Sequence, residues 1–115
     1  MNKLEVGMYI RTKSGYIDKI ININDFREPN MKYALEQPSW NGDIVFIGED
    51  KIYKASFNII DLIEVGDYVN DYRVVERMGD WLDLESATAE NKDIKSIVTK
   101  EQFESMEYKL GDSNE

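Results

Sequence analysis

The sequence predicts a mainly β protein that contains one or two short helical turns. Short runs rich in β-branched and aromatic residues, such as residues 16–24 and 44–48, are separated by turns that contain glycine or proline. Residues 81–86 alternate apolar and polar side chains, which is typical of a strand with one buried face. A repeat is the third observation, because Val-Gly-Met-Tyr-Ile at residues 6–10 returns as Val-Gly-Asp-Tyr-Val at residues 65–69.

The repeat extends from these five residues to the order of the predicted elements. Each copy is followed by a hairpin, further strands, a capped helical turn and a short last strand. Five short strands with one helical turn before the last is the plan of an SH3-like barrel. We therefore predict two SH3-like small β-barrel units, residues 1–62 and 63–115, with a mobile tail at residues 112–115.

Size indicates how the two predicted units relate. A unit of about 55 residues buries only about 60% of its surface and is marginal alone. No linker rich in glycine, serine or proline separates the units, so we predict that they pack as one compact body. The alternative is a single larger antiparallel sheet or barrel, in which the repeat is only two similar bends.

The first unit is expected to contain five strands and one helical turn. Lys-Ser-Gly at residues 13–15 predicts a tight hairpin, since glycine tolerates a positive φ angle. Residues 25–32 are expected to be a loop, and Asn-Gly at residues 41–42 predicts a type I′ turn. Ser56 predicts the N-cap of a helical turn that runs to Leu62. The strands are expected at residues 8–13, 16–24, 33–36, 44–48 (a central strand) and 51–55.

The second unit is expected to follow the same plan. Gly-Asp at residues 66–67 predicts a bend before the first strand, and residues 78–80 predict a turn. Residues 87–93 are expected to be a polar connection. Thr99 and Gln102 have the spacing of a capping box, which predicts a helical start. Strands are expected at residues 68–70, 72–77, 81–86 and 94–98, a helical turn at residues 99–106, and a closing segment at residues 108–112.

The composition excludes several classes of site. The chain has no cysteine, which excludes a disulfide, a thiolate metal site and a cysteine nucleophile. It has no histidine, so the most common general base and the most common zinc ligand are missing. No apolar run is long enough for a signal peptide or a membrane-spanning helix. We therefore expect a soluble, cytoplasmic protein.

The negative charge is concentrated in the second predicted unit. Residues 1–62 carry 8 basic and 9 acidic side chains, a net charge of −1. Residues 63–115 carry 6 basic and 14 acidic side chains, a net charge of −8, and together the two values give the −9 of the chain. Such a surface repels phosphate backbones and attracts a basic protein surface. The alternative explanation is that the charge only keeps a small protein in solution.

Acid/base catalysis would have to use carboxylates. Asp83 and Glu85 lie on one face of a predicted strand beside Trp81, and a pair of catalytic carboxylates needs to face one cleft. With 23 acidic residues in the chain such pairs are inevitable, and a small barrel has little room for a cleft. No segment has the acidic loop of a calcium site or a glycine-rich phosphate loop. We predict no enzyme activity, no catalytic residue, no metal and no cofactor.

The aromatic residues indicate a binding surface. Phe46, Phe57 and Phe103 are expected in the two small cores. Trp81 differs, because the residues that alternate with it along its strand are acidic. An exposed tryptophan flanked by acids suits a partner rich in lysine or arginine. The predicted partner-binding residues are Asp67, Asp71, Tyr72, Asp80, Trp81, Asp83 and Glu85.

Two segments resemble a known group of proteins. Residues 54–70, KASFNIIDLIEVGDYVN, and residues 94–111, IKSIVTKEQFESMEYKLG, are similar to small acidic proteins of phages and prophages of Gram-positive bacteria, which are mostly uncharacterised. Residues 4–20 are more loosely similar, and the likeness covers somewhat under half of the chain. The resemblance implies a mobile-element origin and a bacterial cytoplasm as the setting. It implies no catalytic or binding residues.

These observations favour a non-enzymatic protein that binds a host or phage protein with a basic surface, and neither nucleic acid nor a membrane directly. A narrower hypothesis is an anti-defence inhibitor, similar to anti-CRISPR proteins, that occupies a basic nucleic-acid-binding surface. An alternative is a structural or assembly protein of a phage particle, for which self-association would be expected. A small carboxylate-dependent hydrolase is a remote alternative.

Overall fold

The computed structural model describes residues 3–106, and it confirms that the protein is mainly β. Within these residues, ten strands form two separate antiparallel sheets of five strands each. The alternative of a single larger sheet is therefore wrong. The chain divides into two compact units, Met1–Ile63 and Glu64–Glu115. The predicted closing segment at residues 108–112 and the predicted tail at residues 112–115 lie outside the described residues.

The first unit contains one sheet and three short 3-10 helices. The strand order in the sheet is β4-β3-β2-β1-β5. Every neighbouring pair is antiparallel, and β1 joins the last strand of the unit to the meander of the first four. The strands are β1 (Tyr9–Thr12), β2 (Ile17–Ile23), β3 (Tyr33–Leu35), β4 (Phe46–Ile47) and β5 (Ile52–Ser56), and the 3-10 helices are Pro29–Met31, Glu49–Lys51 and Ile59–Leu62.

The core of the first unit lies on one side of this sheet. Its buried apolar side chains come from the turn before β1 and from four of the strands, and they are Leu4, Met8, Ile10, Ile20, Tyr33, Leu35 and Ile52. Arg11 is also fully buried, although it alternates with Ile10 along β1. Its Nη1 donates a hydrogen bond of 2.9 Å to the Leu62 carbonyl oxygen. The guanidinium group therefore ties β1 to the end of the last 3-10 helix of the unit.

In its described part, residues 64–106, the second unit contains the other sheet, one 3-10 helix and one α-helix. The strand order is β10-β6-β7-β8-β9. Its buried apolar side chains are Val69, Val74, Leu82, Leu84 and Ala89. The strands are β6 (Tyr68–Val69), β7 (Tyr72–Met78), β8 (Trp81–Leu84), β9 (Thr88–Glu90) and β10 (Ile97–Val98), the 3-10 helix is Asn91–Asp93 and the α-helix is α1 (Lys100–Met106).

The predicted capping box at the start of α1 is confirmed. The Gln102 backbone N–H donates to Thr99 Oγ1 at 3.2 Å, and the Thr99 backbone N–H donates to Gln102 Oε1 at 3.1 Å. Two backbone donors at the helix start are thereby satisfied, which is the physical role of this motif. Phe103 of the same helix stacks on Tyr68, with ring centroids 4.5 Å apart.

The same strand order and the same backbone hydrogen bonds occur in both units. Read from the last strand, the orders are β5-β1-β2-β3-β4 and β10-β6-β7-β8-β9. The Gly7 N–H donates to the Ile20 carbonyl at 2.8 Å, and the Gly66 N–H donates to the Val74 carbonyl at 3.0 Å. Each second strand then has a bulge one residue later, at Ile21 in β2 and at Val75 in β7.

The equivalence continues into the third strand. The Leu35 N–H donates to the Val45 carbonyl, and the Leu84 N–H donates to the Ala87 carbonyl. The offset between equivalent residues is 59 at the first strand, 54 at the second and 49 at the third, because the connections from the first to the second strand and from the second to the third strand are shorter in the second unit. This loss of residues explains why the sequence repeat is visible only around the first strand.

The turn before each first strand is the most closely repeated feature. In the first unit the Glu5 N–H donates to Met8 Sδ at 3.2 Å, and in the second the Glu64 N–H donates to Asp67 Oδ2 at 2.7 Å. Asp67 is fully buried, and its Oδ1 accepts a further bond of 2.9 Å from the Lys100 N–H at the start of α1. The Asp67 carboxylate therefore joins the turn to the helix.

A salt bridge lies beside this turn. Lys100 Nζ is 2.9 Å from Glu64 Oε1. The hydrogen bond to the Glu64 carboxylate holds the pKa of Lys100 above its ordinary value, although burial acts in the opposite direction.

One predicted strand and one predicted turn of the first unit differ from the structure. Residues 44–48 do not form a central strand, because the two-residue β4 is at the edge of its sheet. At the predicted type I′ turn at residues 41–42 only Gly42 has a positive φ. Two consecutive positive φ angles occur instead at Asn70 and Asp71, between β6 and β7.

The predicted helical turns lie at the expected residues, since residues 56–62 contain the 3-10 helix Ile59–Leu62 and residues 99–106 contain α1. Two further 3-10 helices, Glu49–Lys51 before β5 and Asn91–Asp93 before β10, are not predicted by the sequence. The hydrogen bond from the Asn58 N–H to Ser56 Oγ shows that Ser56 still orders the start of its turn.

The repeated turn predicts that alanine at Gly7 or Gly66 destabilises the protein. Both residues have φ angles near +96°, at +96° and +97°, where a Cβ atom is strained. We expect each substitution to lower the free energy of unfolding by about 1–3 kcal/mol, measured by urea denaturation. Alanine at the neighbouring exposed Val6 or Val65 is the control and should change it by less than about 0.5 kcal/mol.

The buried carboxylate predicts a second stability effect. Asp67→Asn replaces an oxygen that accepts a backbone hydrogen bond with an amide that donates one, so we expect a loss of about 1–3 kcal/mol in urea denaturation. Asp71→Asn removes the same charge at an exposed turn position where asparagine tolerates a positive φ. Equal stabilities of the two variants would contradict the role of Asp67.

Candidate functional site

The structure separates the seven predicted partner-binding residues into several locations. Asp67 is not on the surface, because it is fully buried and hydrogen-bonded within its own unit. Its assignment as a surface residue is therefore wrong. The substitution of Met8 by aspartate at the equivalent position changes the interior of the second unit rather than its surface.

Asp71 and Tyr72 lie at the turn between β6 and β7. Asp71 is exposed and has a φ angle of +73°. A depression at this turn is lined by Asn70, Asp71, Lys92, Asp93, Lys95 and Ser96. The Asn70 side chain accepts hydrogen bonds from the Lys95 and Ser96 N–H groups, which holds the depression in place. Two lysines at its edge make this location less acidic than the sequence suggests.

Asp80 and Glu85 lie at opposite ends of β8. Asp80 is an exposed residue of the turn between β7 and β8. Glu85 follows the other end of the strand, where its N–H donates to the Arg73 carbonyl at 3.1 Å. Of the predicted pair, Asp83 therefore lies within β8, whereas Glu85 lies just after its end.

Trp81 and Asp83 lie on the outer face of the second sheet. The predicted alternation of β8 is confirmed, since Leu82 and Leu84 are buried on the opposite face. The residues directly opposite Trp81 are Met78 and Glu90, and those directly opposite Asp83 are Glu76 and Thr88. Residues opposite each other in an antiparallel pair share a face. We call this surface the acidic face, and it consists of Glu76, Met78, Trp81, Asp83, Thr88 and Glu90.

Glu76, Met78 and Glu90 were not predicted as part of the site, for two physical reasons. Strict alternation from the buried Val74 places Glu76 and Met78 toward the core. The bulge between Val74 and Glu76 shifts this register and turns both residues outward. Glu90 belongs to β9, which was expected to be a polar connection. The alternation of Thr88 and Glu90 around the buried Ala89 is the sequence signal of that strand.

Two carboxylates face each other across the acidic face. Glu76 on β7 is directly opposite Asp83 on β8, and residues in this relation have Cβ atoms about 5 Å apart. Like charges directly opposite each other destabilise a sheet. Glu90 lies on the far side of Trp81, and its carboxylate is 3.8 Å from Lys92 Nζ in an exposed pair that contributes little. The face therefore has negative charge on both sides of an aromatic ring.

Apolar surface lies between these charges. Met78 is 42% exposed, Trp81 is 38% exposed, and the two residues are opposite each other. A guanidinium or ammonium group can bind between Glu76 and Asp83 by charge-assisted hydrogen bonds and can also contact the Trp81 ring. The acidic face thus combines carboxylates with exposed apolar surface.

The aromatic residues are more exposed than the sequence predicts. Phe57 is 53% exposed and Phe103 is 43% exposed, so their assignment to the cores is wrong. Phe46 is half-buried beneath the Arg27 guanidinium. Sequence reasoning did not single out Phe26, which is fully exposed, and Trp40 is 97% exposed. Both lie in loops of the first unit, where polar neighbours give no pattern from which exposure can be read.

Metal ions, membranes and known relatives give no further assignment. Among residues 3–106, no group of three or more acidic side chains is placed to hold a metal ion. No helix in that range is long and apolar enough to cross a membrane. Comparison of the chain with protein-family models, curated proteins and solved structures finds no match.

The different exposures of the two tryptophans predict their fluorescence. In Trp81→Phe the remaining Trp40 should emit at long wavelength and be quenched strongly by acrylamide, because it is 97% exposed. In Trp40→Phe the remaining Trp81 should emit at shorter wavelength and be quenched less, because Trp81 is only 38% exposed. Identical quenching constants for the two variants would contradict the placement of Trp81.

Proposed function

We propose that this protein is a non-enzymatic binding protein whose acidic face contacts a basic surface of a host or phage protein. The observation that carries the proposal is the pair of Glu76 and Asp83 on neighbouring strands beside the exposed Met78 and Trp81. Aromatic and apolar anchors surrounded by polar groups are typical of energetically important interface regions.

Charge supports a protein partner over nucleic acid. The second unit has a net charge of −8, and the acidic face itself contains three carboxylates and no basic residue. Such a surface repels phosphate and steers a basic partner toward it. Binding to that partner would weaken at high salt, because exposed charges are screened.

We further propose that each unit is an SH3-like barrel. The strand order in which the last strand pairs with the first, followed by the second, third and fourth, supports this assignment. So do the short 3-10 helices, Glu49–Lys51 and Asn91–Asp93, that precede the last strands. On this proposal the acidic face is the outer surface of the meander of β7, β8 and β9.

The narrower proposal is an anti-defence protein of a phage or prophage, acting in the cytoplasm of a bacterial host. Its support is the resemblance of residues 54–70 and 94–111 to phage and prophage proteins, together with the acidic face. An acidic surface of this kind can occupy a basic surface that normally binds nucleic acid.

Capture from a bacterial lysate tests the proposed function. The immobilised protein is compared with a variant that combines Glu76→Lys and Asp83→Lys, and retained proteins are quantified by mass spectrometry. We expect the variant to retain about tenfold less of the wild-type partners, because two attractive contacts become repulsive. Trp81→Ala should weaken retention by a similar factor without a change in charge.

The matched control carries the same change of charge elsewhere. Glu28→Lys combined with Asp43→Lys alters two exposed acidic residues of the first unit and should leave retention unchanged. Equal losses in the two double variants would show that net charge, and not the acidic face, determines binding. A wild-type protein that retains nothing above background would overturn the proposal.

A further inference from the structure

The first unit has a surface equivalent to the acidic face, with different chemistry. The offset of 54 residues in the second strands makes Asn22 equivalent to Glu76. The offset of 49 in the third strands makes Ala34 equivalent to Asp83, and Asn22 is directly opposite Ala34 just as Glu76 is opposite Asp83. The two carboxylates of the acidic face are therefore replaced by neutral residues.

The remaining positions of this surface complete the correspondence. Lys32 occupies the position of Trp81, and Asn24 occupies that of Met78. The Asn24 N–H donates a hydrogen bond of 2.9 Å to the Lys32 carbonyl, just as Met78 is paired with Trp81 in the second unit. Phe46 is directly opposite Ala34 and occupies the position of Thr88. The surface forms a groove of about 230 Å³ that we call the basic groove, and it is lined by Ile21, Asn22, Asn24, Arg27, Lys32, Ala34, Ile44 and Phe46.

The basic groove has exposed apolar surface with cations at its side. Ile21 and Ile44 are 44% and 56% exposed. The Arg27 guanidinium lies 4.4 Å from the centre of the Phe46 ring, so one face of the ring is covered by a cation. Lys32 Nζ lies 3.2 Å from the Asp25 carboxylate in an exposed salt bridge. Because this carboxylate partly neutralises Lys32, Arg27 attracts an anion more strongly.

We propose that the acidic face of one copy of this protein docks on the basic groove of a second copy. The inference rests on the proposed function in one respect, that the acidic face binds protein, and it names this chain as one of its partners. Glu76 and Asp83 supply the carboxylates that Arg27 and Lys32 attract. Met78 and Trp81 supply apolar surface for Ile44 and Phe46.

Net charge also favours this pairing over contact between two second units. Contact between two second units would oppose charges of −8 and −8, whereas contact between a second unit and a first unit opposes −8 and −1. The acidic face and the basic groove are different surfaces, so the contact is heterologous, and each copy has one acidic face and one basic groove. Head-to-tail association of this kind closes into a ring or extends into a chain, and reciprocal docking makes a dimer.

Sedimentation velocity over a concentration range of about 10 μM to about 1 mM tests the inference, since small interfaces are weak. We expect the wild-type protein to associate reversibly. Arg27→Glu should weaken association by about tenfold or more, because a carboxylate then faces Glu76 and Asp83. The double variant Glu76→Lys and Asp83→Lys should weaken it similarly. Lys13→Glu is the matched control, since it makes the same charge change at an exposed turn away from the groove.

Combining these three substitutions with Lys32→Glu in one chain provides the decisive variant. Reversed charges then face each other with opposite sign, so association should return to within about threefold of the wild type. A wild-type protein that stays monomeric at the highest concentration, or a combined variant that is not restored, would overturn the inference. Arg27→Glu leaves the acidic face intact. If this variant no longer self-associates but still retains lysate proteins, the proposed function stands independently of self-association. Circular dichroism of each variant verifies that the fold is unchanged.

Discussion

The register between the first two strands of each unit is the constraint on which the rest of the structure depends. In the second unit the Gly66 N–H donates to the Val74 carbonyl, and the Val74 N–H donates to the Asp67 carbonyl at 2.7 Å. These bonds place the Val74 side chain in the core. The bulge that follows immediately turns Glu76 outward. Without that extra residue, the carboxylate would point toward the buried side chains of β8, where an unpaired charge is costly.

The sequence predicts those elements whose signals are local. The hairpin at residues 13–15, the alternation of β8 and the capping box at Thr99 each depend on a few neighbouring residues, and each agrees with the structure. The mainly β class follows from the sum of such signals. Tertiary hydrogen bonds decide the features that differ. Arg11 is buried and donates a hydrogen bond to the Leu62 carbonyl, 51 residues further along the chain, and no local pattern reveals that contact.

In the candidate site, too, the sequence predicts the local features but not the contacts between strands. Trp81 and Asp83 are predicted to share an exposed strand face because alternation within one strand is visible in the sequence. Their neighbours on β7 and β9 depend on a bulge and on register between strands, which single-strand alternation does not encode. Asp67 is misassigned for a related reason. An acidic residue beside a glycine resembles an exposed bend, whereas in the structure the Asp67 carboxylate is buried and accepts hydrogen bonds from the Glu64 and Lys100 N–H groups.

Comparison of equivalent positions separates the acidic residues that hold the fold from those available to a partner. The first unit builds the same register and the same bulge with Asn22 and Ala34, so the backbone does not require carboxylates at Glu76 and Asp83. Their repulsion is a cost that the fold itself does not explain, and a cationic partner would remove it. Asp67 gives the opposite result, because its carboxylate accepts hydrogen bonds from the Glu64 N–H in the turn and from the Lys100 N–H at the start of α1, whereas at the equivalent position Met8 Sδ accepts one from the Glu5 N–H. The acidity of the second unit therefore has two sources, one structural and one directed outward, and three of the outward carboxylates, those of Glu76, Asp83 and Glu90, lie around Trp81.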